Sequence, residues 1–225
     1  DPVVIGSDTV SSTDLVRRRW LDNWFYGTTF SATYNASSKL KIITGGAWNM
    51  YDGDHFGEVI WARFAGNSEI EERFYYNNAL KSDFNVYTKW NYFIGSSFKV
   101  YADLQYRRVT YNTFGTDIDG RDIGLSDELN FLNPKLGFEW NIRENQGLYA
   151  FYGYTNREPV RNDYIDAPQG RFPKPESMHN IELGYDLRSE RLAFTANYYL
   201  MYYRNQLVLT GDVNDVGGSI RTNVD

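Results

Sequence analysis

Eight stretches of this chain alternate between polar and apolar residues, which is the pattern of β-strands with one apolar and one polar face. In the stretch 83–92 the even positions are apolar or aromatic, apart from one threonine, and the odd positions are mostly polar. The alternation is equally clear in 98–107, 132–141, 181–188 and 192–202, and less regular in about 22–36, 39–50 and 146–157. Each apolar face covers about five alternate positions, close to the 9–11 residues with which a tilted strand crosses a bilayer.

The connections between these stretches alternate between short and long. The short ones are 36–38, 94–96, 143–145 and 189–190, and the long ones are 50–80, 111–128, 158–176 and 206 onwards. Outer-membrane barrels have this arrangement because tight turns lie at the periplasmic rim and long loops at the extracellular rim. The sequence therefore predicts an all-β fold, an antiparallel transmembrane β-barrel. The alternative is a soluble antiparallel sheet with one core face, but that fold gives no reason for the long connections to share a rim.

The composition agrees with strands that cross a membrane. Aromatic residues make up 17% of the chain, with 19 Tyr, 14 Phe and 6 Trp, and Tyr and Trp concentrate at membrane–water interfaces. No apolar run approaches the roughly 20 residues of a spanning helix. The absence of cysteine excludes disulfides and thiolate metal sites. The net charge of −6 argues against nucleic acid as a partner, because binding phosphates needs a cationic face.

The two ends of the chain indicate a part of a larger barrel. Residues 1–21 contain no apolar segment typical of a signal peptide, so we expect the chain to start at a mature or internal position. We expect residues 1–21 to form an extracellular loop segment. At the other end, the chain stops at Asp225 just after a long connection, whereas outer-membrane barrels usually finish on a strand. We therefore expect residues 1–225 to be a partial β-barrel domain of about eight strands.

Four segments resemble a known family. Residues 53–62, 101–107, 133–137 and 205–211 are similar to the barrels of TonB-dependent outer-membrane receptors, particularly those of the Bacteroidota. The resemblance implies a 22-stranded barrel in a Gram-negative outer membrane, with the plug domain and the closing strands absent from this chain. It implies import of a scarce nutrient such as a ferric siderophore, haem or cobalamin. The implied partners are that ligand, the lipid bilayer and the TonB complex, which would act through a missing N-terminal region.

The long connection 50–80 is rich in aromatic and cationic residues. Rigid aromatic surfaces and charge-assisted donors suit flat or anionic chelates. The candidate ligand contacts in this connection are Tyr51, His55, Trp61, Arg63, Tyr75 and Tyr76. The alternative for any single one is a role in loop packing or in an interfacial girdle.

A second connection concentrates carboxylates as calcium loops do. The candidate ligands of a structural calcium ion are Asp117, Asp119, Asp122 and Glu128. The segment departs from an EF-hand, because Arg121 occupies a ligand position and Asp122 stands where glycine is needed. A solvated acidic loop is the alternative, and we expect no other cofactor.

Little in the sequence supports catalysis. The two histidines, His55 and His179, are far apart in the chain, and no Cys–His or Ser–His arrangement is visible. We therefore expect a protein that is not an enzyme. Two other classes stay open at this point: a self-contained eight-stranded outer-membrane barrel with an anchoring role, and a soluble β-domain that binds sugars through its aromatic residues.

Overall fold

The computed structural model describes residues 3–5, 8–10, 12–64, 69–167, 172–213 and 217–225. These residues form strands and one short helix. The elements are β1 (Val3–Ile5), β2 (Asp8–Val10), β3 (Leu15–Asn35), β4 (Leu40–Ala62), β5 (Arg73–Ile94), β6 (Phe98–Gly115), β7 (Leu125–Arg143), β8 (Gln146–Arg157), α1 (Arg161–Ile165), β9 (Glu176–Arg188), β10 (Ala193–Arg204), β11 (Gln206–Val213) and β12 (Ser219–Val224). Among the described residues, no helix is long and apolar enough to cross a membrane.

Eight strands form one sheet in chain order. Its order is β10-β9-β8-β7-β6-β5-β4-β3, so within the described residues β10 and β3 are its edges. β8 pairs with β9 and β9 with β10 in antiparallel ladders, and both ladders include every residue from Ser177 to Leu187 of β9. Two small antiparallel hairpins, β1–β2 and β11–β12, form separate two-stranded sheets. The predicted all-β antiparallel fold is confirmed.

Several strands are longer than the alternation indicated. β4 continues to Ala62 and β5 begins at Arg73, so most of the expected connection 50–80 is strand. β3 begins at Leu15 and residues 3–5 and 8–10 pair with each other, so 1–21 is not a loop throughout. Sequence periodicity missed the β4 extension because Gly53 and Gly57 stand on one face and Asp52, Asp54 and Glu58 on the other, which removes the apolar period. In the β3 and β5 extensions, arginines and asparagines interrupt the period in the same way.

The chain divides into two compact units. Unit 1 comprises Asp1–Tyr26, Asn49–Ser82 and Thr110–Glu128, and unit 2 comprises Gly27–Trp48, Asp83–Val109 and Leu129–Asp225. Unit 1 therefore holds the parts of β3 to β7 that are far along the chain from the short turns. Unit 2 holds the parts next to those turns.

One face of the sheet in unit 2 is apolar and, within the described parts of the chain, exposed. Leu183 lies between Ala150 and Tyr198 in the ladders, and the next row on the same face is Tyr152, Ile181 and Leu200. Leu183 is 48% exposed and Leu200 is 47% exposed. Aliphatic and aromatic side chains in continuous rows across neighbouring strands are typical of a surface that meets lipid rather than water.

The opposite face carries tyrosine rings and charged groups. The Tyr101 ring lies against Gly137 of β7, and the Tyr149 ring lies against Gly184 of β9. Tyr101 and Tyr149 border a cavity of about 290 Å³ that Glu139 and Glu182 also line. Nearby in the chain, Arg107 is bound by both Asp83 and Glu158, the latter at 2.7 Å. This polar face is thus a dense surface of rings and paired charges.

Next to a proline in β7, an asparagine side chain makes hydrogen bonds to the neighbouring strands. Pro134 has no backbone N–H to donate, and a proline inside a sheet interrupts pairing. The Asn133 side chain, which is 5% exposed, accepts a 3.0 Å hydrogen bond from the backbone N–H of Asn156 and donates one of 3.1 Å to Gln105. The regular β7–β8 ladder then starts at Lys135. The β7–β8 ladder is therefore irregular at Pro134, and the Asn133 side chain supplies a hydrogen bond in place of a backbone one.

Candidate ligand-facing site

The residues expected to contact a ligand lie mainly on strands and not in a loop. Tyr51, His55 and Trp61 belong to β4, Tyr75 and Tyr76 belong to β5, and only Arg63 follows a strand. The expectation that they occupy a loop was wrong because β4 and β5 extend through that part of the sequence. Their facing is therefore set by strand alternation.

Tyr51 and His55 share one face of β4. The Tyr51 hydroxyl group donates a 2.9 Å hydrogen bond to Asn23 Oδ1 of β3 and lies 3.2 Å from His55 Nε2. Gly53, between them, is buried and leaves room for the Tyr51 ring. Because side chains alternate along β4, Gly45 lies on this same face of the strand. In unit 2 the Tyr87 ring packs against Gly45. These three polar side chains form one of the groups that the structure brings together.

Tyr76 belongs to a second group on the other face of β4 and β5. Its hydroxyl group donates a 2.7 Å hydrogen bond to Asp54 Oδ1, which also accepts one of 2.8 Å from Asn78. The hydrogen bond from Asn78, and after it the one from Tyr76, lower the pKa of Asp54. The hydrogen bond to Asp54 raises the pKa of Tyr76. The sequence analysis did not single out Asp54 or Asn78, because nothing local shows that positions so distant in the chain are adjacent.

Arginines and aromatic rings form a third group, also missed. Arg18 donates a 2.9 Å bond to Glu58 Oε2, which also accepts one of 3.1 Å from the Trp20 indole. The bond from Arg18 lowers the pKa of Glu58. The Arg73 guanidinium lies 3.8 Å from the centre of the Phe56 ring. The consecutive arginines 17–19 were the available signal for this group.

A cleft of about 480 Å³ lies at the far end of β4 in unit 1. Its lining is mostly apolar, with Trp61, Phe64 and Phe74 as the large rings. The charged members are Arg73, Glu69 and Glu72. Trp61 is 53% exposed. Of the other expected contacts, Tyr75 is only 9% exposed, and Arg63 is held 3.4 Å from Asp14. Of the six candidate ligand contacts, Trp61 is thus the one that lines this cleft.

The four candidate calcium ligands are not gathered. Asp119 accepts hydrogen bonds from the Arg121 backbone N–H at 3.0 Å and its Nε at 2.7 Å, and Asp122 accepts one from the Gly124 N–H at 2.8 Å. Glu128 lies inside β7. Across the described parts of the chain, no three His, Cys, Asp or Glu side chains are placed to hold a metal ion. The expected cluster of Asp117, Asp119, Asp122 and Glu128 is therefore not formed, because an arginine and backbone groups occupy two of the carboxylates.

Comparison with known proteins identifies the family. The family model "TonB dependent receptor-like, beta-barrel" matches residues 3–225, so the chain belongs to this family. No curated protein sequence matches the chain. The resemblance seen in the sequence is confirmed at the level of the family.

Solved structures show the same fold. The chain is similar to the copper transporter OprC, with 15% identity and a TM-score of 0.77 over 93% of this chain and 34% of that one. It is also similar to the FrpB iron transporter from Neisseria meningitidis, with 17% identity and a TM-score of 0.61 over 90% and 31%. For the Serratia marcescens hemophore receptor HasR the values are 12% and 0.60 over 92% and 38%. The chain thus spans about a third of the length of these proteins.

The family fixes location and class. The chain is part of a transmembrane β-barrel of a Gram-negative outer membrane. Its apolar face therefore meets lipid and its polar face meets the lumen. The family consists of receptors and transporters rather than enzymes. Neither of the two other classes, the small anchoring barrel and the soluble sugar-binding domain, fits this family.

Proposed function

We propose that this chain forms the part of a TonB-dependent receptor that helps to capture a scarce nutrient of the ferric siderophore, haem or cobalamin type. The observation that supports this most directly is the cleft in unit 1. Its volume of about 480 Å³ falls in the range of ligand pockets, and its lining combines rings with a few charged groups. Trp61, Phe64 and Phe74 offer flat apolar contact, and Arg73 and Glu72 offer polar anchors.

The position of the cleft suits capture from outside the cell. It lies in the parts of β4 and β5 that are furthest along the chain from the short turns. In barrels of this kind short turns lie at the periplasmic rim, so these distal parts lie towards the exterior. Uptake would then require TonB, which we expect to engage a region of the receptor outside residues 1–225.

Substitution of the cleft rings in the complete receptor tests the proposal. Haem, cyanocobalamin and a ferric catecholate siderophore are titrated against the purified protein, and growth is measured with each as the only source of the nutrient. We expect one of the three to bind, and Trp61→Ala together with Phe64→Ala to weaken its binding about tenfold or more, as at ring-rich contact sites.

Trp140→Ala is the matched control, because Trp140 is a partly exposed tryptophan on the lipid-facing side of unit 2. We expect it to leave ligand affinity unchanged. Equal affinity of the cleft variant and the parent receptor, with both folded, would contradict the assignment of the cleft as the ligand site.

A further inference from the structure

One row of the lipid-facing surface of unit 2 differs from the rest. Tyr154 of β8, His179 of β9 and Tyr202 of β10 lie side by side in the ladders. On the short-turn side of this row the same face carries aliphatic and aromatic residues. On the other side the next row is Asn156, Ser177 and Arg204. The face thus changes from apolar to polar and cationic at this row.

The row lies where the hydrocarbon should end. From Leu187, beside the short turn, to His179 is eight residues along β9, or about 26 Å at about 3.3 Å per residue. With a strand tilt of about 40° this is a height of about 20 Å, and the apolar band of such barrels is about 25 Å tall. The row therefore lies just inside the edge of this band on the side of the long connections, and the next row, with Arg204, lies two residues further along β9, at the edge itself.

Arg204 offers a cation without a counter-ion. Its guanidinium lies 5.8 Å from the centre of the Tyr202 ring, and among the described residues it has no ion pair or hydrogen bond. By contrast, Arg107 on the polar face is bound by both Asp83 and Glu158. An arginine at the membrane boundary whose donors have no acceptor among the described residues is suited to bind an external anion.

His179 supplies a second donor beside it. Its Nδ1 is 2.9 Å from the Tyr152 hydroxyl oxygen, which fixes the ring, and its ring centroid is 4.8 Å from that of Tyr154. In the described structure its Nε2 has no hydrogen-bond partner. An ionisable side chain on a lipid-facing strand position is costly unless it serves a purpose. In the β9–β10 ladder it stands diagonally across from Arg204, one row away on the same face.

We propose that Tyr154, His179, Tyr202 and Arg204 form a binding site for the phosphate group of an outer-leaflet lipid. The guanidinium plane matches the geometry of phosphate oxygens, and such charge-assisted bonds are strong at the edge of the hydrocarbon. The imidazole and the two tyrosine hydroxyl groups add donors at the same level, and the aliphatic rows towards the short turns contact the acyl chains. The site is on the outside of the barrel and is separate from the nutrient cleft of unit 1.

Lipid binding to the complete receptor in a nonionic detergent tests this site. Native mass spectrometry measures the Kd of dioleoyl phosphatidic acid, whose headgroup is a phosphate monoester, and of dioleoylglycerol, which has the same chains without phosphate. We expect phosphatidic acid to bind and Arg204→Ala to weaken it about tenfold. Arg204→Lys, which keeps the charge but loses the planar fork, should give a smaller loss, as should His179→Phe.

Arg191→Ala is the matched control, because Arg191 is an exposed arginine in the turn at the opposite end of β10. It should leave the Kd unchanged, and heat modifiability on gels shows that each variant is folded. Equal Kd values for Arg204→Ala, His179→Phe and Arg191→Ala would overturn the proposal. Displacement of the lipid by an equal concentration of inorganic phosphate would also overturn it, because the site would then bind free anions and not a lipid.

Discussion

At the level of single residues, two glycines on the lumen-facing side allow tyrosine rings to pack directly against the backbone. The Tyr101 ring occupies the place where a Cβ of Gly137 would stand, and Tyr149 does the same at Gly184. A flat ring over a glycine covers backbone that no side chain would otherwise shield. The large tyrosine content thus has a structural use on the polar face as well as at membrane interfaces.

We expect Gly137→Ala to destabilise the receptor by about 1–3 kcal/mol, because the added methyl group would overlap the Tyr101 ring and force it to move. Unfolding of the complete receptor in guanidinium, followed by tryptophan fluorescence, measures the change. Gly147→Ala is the control, because its nearest neighbour, Asn141 Oδ1, is 3.9 Å away. A Gly137→Ala receptor as stable as the control would show that the Tyr101 ring is not held in place against Gly137.

The hydrogen bonds on Asp54 predict a local dependence on pH. Asp54 lies more than 11 residues beyond the turn that precedes β4, which places it outside the membrane-spanning part. Its pKa is lowered in the folded protein by Asn78 and Tyr76, so the ionised form stabilises this region. That stabilisation is complete above the ordinary Asp pKa of about 3.9, and it is lost as the pH falls through the lowered value.

Hydrogen exchange measures this effect in backbone amides of β4 and β5 around Asp54 and Asn78. We expect protection to decrease on acidification below about pH 4, and the dependence to disappear in Asp54→Asn. The control is Asp22→Asn, since Asp22 is an exposed residue of β3 whose side chain makes no hydrogen bond in the described structure. An unchanged acid response in Asp54→Asn would assign it to another group.

At the level of elements, the facing of each strand follows from its alternation. On β9, Leu183 lies in an exposed apolar row, whereas its neighbour Glu182 lines the cavity with Tyr101 and Tyr149. We expect Leu183→Arg to cost about 2–4 kcal/mol in a membrane-folding assay, because its charge would lie near the bilayer midplane. Glu182→Arg should cost much less, since it faces the lumen. Equal costs at the two positions would contradict the assignment of Leu183 to the lipid side and Glu182 to the lumen side.

At the level of the whole molecule, the topology predicts which connections are accessible from outside the cell. Thr116 follows β6 in the connection to β7, and Ser96 lies in the short turn between β5 and β6. In the complete receptor, Thr116→Cys should react with an impermeant thiol reagent on intact cells, and Ser96→Cys only after the outer membrane is broken. The opposite pattern would invert the topology. Asn67, the corresponding position in the first long connection, lies outside the described residues.

The open sheet predicts that residues 1–225 do not work alone. Within the described residues β10 and β3 are sheet edges, and unpaired backbone groups are not tolerated in hydrocarbon. Closing these eight strands on each other would also force the lumen-facing tyrosines into a much narrower space. We expect the isolated segment to give no heat-modifiable monomer and no channel activity in planar bilayers. A stable conducting monomer would show that the eight strands close by themselves.

The sequence by itself determined the strand class, the short turns and the lipid-facing side. It could do so because alternation and turn length are local properties, as Leu183 against Glu182 and the turn before Leu40 illustrate. The tertiary structure alone decided where β4 and β5 end, since their distal halves carry no apolar period. It alone placed Asn78 beside Asp54, and His179 beside Tyr202 and Arg204. Cross-strand neighbours come from distant parts of the chain, and only the register of the ladders brings them together.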